Sequence, residues 1–112
     1  MSTSPDRLER QHRRFPLRFP VQVRFAHGNS TSEIHADSRN VSISGLLLET
    51  DVFIPEHTAV NFMMTVQAGH MVRPIELVGQ GQVVRVEQEG SAGRFAIAIQ
   101  CHRPLIEIAT LA

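Results

Sequence analysis

After Pro20, apolar residues recur at every second position, and this alternation constrains the fold more than any other feature of the chain. Val21, Val23 and Phe25 alternate with Gln22, Arg24 and Ala26, and Phe95, Ile97 and Ile99 alternate with Ala96 and Ala98. Period two is the signature of a strand with one buried face. Turn chemistry separates the runs: His27-Gly28-Asn29-Ser30, Ala68-Gly69-His70 and Gly90-Ser91-Ala92-Gly93. Between them, residues 34–44 predict a strand with Val41 and Ile43 on its buried face and Asn40, Ser42 and Ser44 on the other. Gly45 interrupts, and Leu46-Leu47-Leu48 resumes as an apolar run. Pro55 closes a loop, and residues 58–67 predict a further strand in which Phe62, Met63 and Met64 pack in the core or on the sheet. Residues 74–88 predict a long one, with Gly79 and Gly81 midway, where a bulge or a bend at a barrel corner is expected. Six or seven strands with turn signals every 8–12 residues make the chain all-β, a small antiparallel barrel or sandwich. Its 112 residues suffice for one domain with its own core.

The two ends differ from this body. Ser4-Pro5-Asp6 has the order of a helix start, which predicts a short helix over residues 5–12. Phe15-Pro16 and Phe19-Pro20 then force extended backbone. The last stretch, 104–112, is either a short apolar helix or a final strand. The expected organisation is a basic arm (1–12), a barrel domain (13–103) and a short tail (104–112).

Eleven basic and eleven acidic residues cancel, but not locally. Residues 1–24 carry a net charge of +4 and residues 25–112 carry −4. Every basic residue is arginine; lysine, Trp and Tyr are absent. A uniformly basic nucleic-acid coat is therefore excluded, and aromatic stacking platforms are limited to Phe and His. A lone Cys101 rules out an internal disulfide framework, and the default for it is burial. The six histidines show no ligand spacing, so no metal site is expected. Cys101 and His102 are strand neighbours facing opposite ways, which is poor geometry for a nucleophile and its base. No apolar run approaches the length of a membrane span, and the first residues lack the apolar core of a secretory signal. The expected location is the cytoplasm, with no membrane insertion.

Two clusters carry chemistry. In Arg13-Arg14-Phe15-Pro16-Leu17-Arg18 the proline disfavours helix. In extended chain Arg14 and Arg18 share a side, roughly 13 Å apart, a span that suits a ligand of nucleotide size. The guanidinium fork pairs bidentately with phosphate, stacks on rings and matches the O6/N7 edge of guanine. In Asn40-Val41-Ser42-Ile43-Ser44-Gly45 the alternation sets amide and hydroxyl groups on one face. Gly45 permits a positive φ or a close approach of backbone.

Together these residues resemble the PilZ domain family, bacterial receptors for cyclic di-GMP. The family signature is RxxxR followed by (D/N)xSxxG; here it is matched by RFPLR, Arg14 to Arg18, and NVSISG, Asn40 to Gly45. The later segments GQGQVVRV and GRFAIAIQ look like closing strands of the family's six-stranded barrel, so the resemblance covers most of the chain. It implies that Arg14 and Arg18 contact phosphate and the guanine edge, that Asn40 and Ser42 bond the other guanine surface, and that Gly45 allows close approach. Arg13, just before the first motif, implies an intercalated dimer of the ligand, because its plane can stack on a second molecule. Only nine residues follow the barrel, so at most a short C-terminal helix is expected.

The function expected is a non-catalytic receptor of cyclic di-GMP that requires no cofactor. Ligand-induced ordering of the arginine segment would alter a surface for an unidentified effector protein. A PilZ-like interaction module that works without nucleotide is the alternative. A DNA or RNA binder is disfavoured by the acidic body, and an enzyme by the lack of paired carboxylates, a triad or a phosphate-cradling loop. Arg7, Arg10 and Arg85 are expected to be solvent-facing.

Overall fold

The computed structural model describes residues 17–67, 69–70, 72–90 and 93–103, and the backbone of 106–108. The expected helix at 5–12 lies outside the described residues. Among the described residues seven strands follow in order: β1 (Pro20–His27), β2 (Ser30–Ser42), β3 (Gly45–Thr50), β4 (Ala59–Val66), β5 (Ile75–Glu89), β6 (Arg94–Cys101) and β7 (Ile106–Ile108). All pairings are antiparallel. The sheet order is β4-β1-β2-β3-β6-β5, and pairing of β4 with β5 closes six strands into a barrel. β7 adds to the outer part of β5, so the tail takes the strand alternative at 106–108.

Closure depends on β5. Its first half pairs with β4 through Ile75–Gln82, and its second half pairs with β6 through Gly81–Glu89. One strand of 15 residues thus serves two neighbours on different walls. Gly81 sits at the changeover, where a β-carbon would collide with the Gln100 carbonyl oxygen. The sequence expectation of a corner in this stretch is met.

The core fills the barrel with the alternating residues of each wall. Val21, Val23 and Phe25 of β1 face Ala36 of β2, Leu46 and Leu48 of β3, Val60, Phe62 and Met64 of β4, Val83 of β5, and Ile97 and Ile99 of β6. Met63, on the opposite parity of β4, is half-buried. Ile54, from the loop after β3, is fully buried as well. That loop is lashed to β5 by His57 N to Val83 O at 2.7 Å and Val83 N to Thr58 O at 2.9 Å. Each fully buried aliphatic side chain contributes roughly 1.5–3 kcal/mol of transfer free energy.

Two bulges break the alternation. Arg39 is the extra residue between Ser38 and Asn40 in the β2–β3 ladder, and Val84 plays the same part between Val83 and Arg85 in β5–β6. An extra residue reverses which parity faces inward. Before Arg39 the inward residues of β2 are even-numbered, Ala36 and Ser38; after it Val41 points in.

The strand expected over 34–44 is shifted in the structure. It runs from Ser30 to Ser42 and ends in a two-residue turn, since Ser42 pairs with Gly45. Ile43 therefore stands at the turn tip with 55% of its surface exposed, not beside Val41 in the core. Gly45 does not interrupt the strand; it begins β3.

Candidate functional site

The outer wall of β2, β3 and β6 carries the polar motif residues. Asn40 pairs with Leu47, and Leu47 with Ala98, so these three form one row across the wall. The adjacent row is Ser42, Gly45 and Gln100. Side chains two apart on a strand share a face and lie roughly 7 Å apart, so Glu49 flanks Leu47 on the other side.

The bulge at Arg39 brings the arginine segment to this wall. Ser38, the last inward residue before the bulge, is fully buried. Its hydroxyl donates to the Leu17 carbonyl oxygen and accepts from Phe19 N at 2.9 Å, while Ser38 N donates to Phe19 O at 2.9 Å. The backbone on either side of Arg18 is thereby fastened to β2. Arg39 itself, turned outward, donates from Nε to Glu49 Oε2 at 2.8 Å and from Nη2 to the same oxygen and to Glu89 Oε1 at 2.5 Å. Glu49 then uses its other oxygen to accept from Arg18 Nη2 at 2.7 Å. Arg94 Nη2 stands 3.8 Å from that oxygen.

Three arginines thus surround a carboxylate that keeps 13% of its surface exposed. Hydrogen bonds from Arg18 first, and then Arg39, hold the Glu49 carboxyl below its usual range. The bonds to Glu89 and Glu49 raise the Arg39 guanidinium further above its already high value. With Glu89 counted, the ion-paired groups are three cations and two anions, and Asp37, opposite Glu49 across the β2–β3 ladder, brings the local charge to zero.

The motif residues fare differently. Arg13 and Arg14 lie outside the described residues. Arg18 reaches the wall with 60% of its side chain exposed. Asn40 is half-buried, and among the described residues its amide has no hydrogen-bond partner. Ser42 is turned into the hairpin: its hydroxyl accepts from Ser44 N at 3.2 Å and lies 3.1 Å from the Ser44 hydroxyl. Gly45 makes the close approach rather than the positive φ, and what it approaches is β6: a β-carbon there would collide with the Ile99 carbonyl oxygen. Arg85 is exposed, with Glu87 at 3.8 Å.

Sequence reasoning missed Arg39, Glu49 and Ser38. The available signal was Asp37 and Arg39, two charges on the parity assigned to the buried Val41. Charged residues on an apolar parity mark a change of phase.

Among the described residues no group of three or more His, Cys, Asp and Glu could hold a metal ion, and no helix is long and apolar enough to cross a membrane. Cys101 is half-buried rather than buried, and desolvation pushes its thiol up to about 11.

The described residues thus form a closed six-stranded barrel with Arg18 docked on the outer wall that also carries Asn40. The comparisons give its family. The PilZ domain model matches residues 8–110, and the chain belongs to that family, whose members generally are receptors of cyclic di-GMP. No curated protein matches the chain. Among solved structures, the Bacillus subtilis inhibitor of motility MotI/DgrA superposes with a TM-score of 0.63 at 16% identity, over 84% of this chain and 43% of that one. The chain therefore spans less than half of that protein, and the likeness is one of fold. The PilZ domain of CeSA from a cellulose-synthesizing bacterium aligns over 79% of each chain at 20% identity, with a TM-score of 0.49.

Proposed function

We propose that the chain is a non-catalytic receptor for cyclic di-GMP. The observation that carries this reading is the meeting of Arg18 with the Asn40 wall. The two are 22 residues apart in sequence, yet the Ser38 and Glu49 contacts bring them to one surface. A cyclic dinucleotide offers two phosphates and two guanine edges. Arg14 and Arg18 supply forks for phosphate and for O6/N7, and the Asn40 amide supplies both a donor and an acceptor. Ser42 contributes its hydroxyl once it lets go of Ser44, and Gly45 keeps the hairpin flush with β6.

Arg13 stacks on a second nucleotide, giving an intercalated ligand dimer. Closing of the arginine segment over the ligand changes the surface offered to an effector protein, to the extent that the ligand favours the closed state. No bond of the ligand is made or broken, and no cofactor takes part.

Calorimetric titration of the full chain with cyclic di-GMP tests this. Binding at tens of micromolar or tighter is expected, with two nucleotides per chain. Arg14→Ala and Arg18→Ala each weaken it severely, and Arg7→Ala barely changes it. An absence of heat overturns the proposal.

A further inference from the structure

Two groups outside either motif determine where Arg18 can be. Arginine has one of the most flexible side chains, and on an unanchored arm it would sample many rotamers. Here it is fixed twice. Ser38 fastens the backbone at Leu17 and Phe19, one residue to each side. Glu49 takes one guanidinium nitrogen, Nη2, at 2.7 Å. Glu49 cannot swing away freely, because its second oxygen is gripped by Arg39, which Glu89 grips in turn. The remaining donors of Arg18 stay accessible on a side chain that is 60% exposed.

We propose that Glu49 and Ser38 are positioning residues for Arg18, which hold its guanidinium at the Asn40 wall before any ligand arrives; this rests on the receptor reading above. Arg18 is then a preset contact of the barrel. A ligand meeting a fixed fork loses less conformational freedom on binding than one that must gather a loose side chain. A carboxylate beside an anion site would ordinarily repel the ligand. Here Arg39 and Arg94 offset it.

The test is a double-mutant cycle on the full chain, read by titration with cyclic di-GMP. Glu49→Gln is expected to weaken binding about five- to tenfold, the scale of one ordinary hydrogen bond. In the Arg18→Ala background the same change is expected to do nothing. Equal or tighter binding by Glu49→Gln, or the same loss in both backgrounds, overturns the positioning role while leaving the receptor reading intact. Absence of heat with the unmodified chain overturns both. A second measurement needs no variant: nitrogen-15 relaxation of the Arg18 Nε in ligand-free protein. An order parameter near the rigid value of about 0.85 is expected, and one below about 0.6 overturns the proposal.

Discussion

Gly45 lies against Ile99 so closely that no β-carbon fits between them: one built there would collide with the Ile99 carbonyl oxygen. The contact is part of the β3–β6 ladder, in which Gly45 pairs with Gln100 and Leu46 with Ile99. The last residue of NVSISG is therefore required by the barrel itself, whatever lies above it. Because the obstacle is backbone, it cannot rotate aside. Gly45→Ala is expected to cost about 1–3 kcal/mol, as overpacking does elsewhere. A urea melt reads it as a lower midpoint at unchanged slope. An unchanged midpoint would show that β3 and β6 part without cost.

Ser38 should be the more damaging loss for the arm. Its hydroxyl serves Leu17 O and Phe19 N together, in a fully buried position. Ser38→Ala leaves the Phe19 amide without that acceptor, at about 1–3 kcal/mol. Amide exchange separates this from general destabilisation. Phe19 should lose protection by more than the change in global stability explains, while Val23 in β1 should follow the global change alone. Equal shifts at both amides would mean that Ser38 supports only the core.

Much of the barrel was legible in the chain, because period two and turn chemistry act locally. The β1 alternation, the Gly28 hairpin and the corner in β5 all follow from residues near one another. What was not legible depends on partners far away in sequence. The bulge at Arg39 exists in relation to Leu47 and Leu48 across the ladder, and it reverses the parity of everything after Ser38. The docking of Arg18 needs Glu49, 31 residues on. Neither lies within the reach of a local pattern. RxxxR and NxSxxG mark the two sides of the candidate site, and the carboxylate that ties Arg18 to Arg39 belongs to neither motif.

The placement of Ile43 gives a direct check of the turn after Ser42. With the bulge and turn as described, Val41 is core and Ile43 is an exposed tip. Ile43→Ser should then change stability by less than about 0.5 kcal/mol, as surface replacements do. Val41→Ser should cost about 2–5 kcal/mol, through lost burial and an added hydroxyl. Thermal melts of the two variants suffice; similar losses for both would restore a strand that continues through Ile43.

Cys101 packs against the core, and burial lifts its thiol from an ordinary 9.0 to about 11. At neutral pH that shift lowers the thiolate fraction about a hundredfold. The greater nucleophilicity of a high-pKa thiolate recovers roughly tenfold, so reaction with a disulfide reagent should run about ten times slower than for a free thiol. Labelling in urea should restore the ordinary rate. A native rate equal to the unfolded one would place Cys101 outside the packed wall.

Glu49 links the arm to acid stability. Its carboxyl sits below the usual range because Arg18 and Arg39 favour the charged form. A group depressed on folding contributes stability above its unfolded pKa and loses that contribution as pH falls through the folded value. Native protein is expected to keep the Glu49 share through neutral pH and lose it only below about 4.3, the ordinary value for glutamate. Glu49→Gln removes the titrating group, so its stability should fall less steeply with acid than that of the unmodified chain. The comparison is one of slopes, taken from urea melts between pH 2 and 6. Parallel slopes would mean that Arg18 and Arg39 leave this carboxyl no different in the folded barrel than in the open chain.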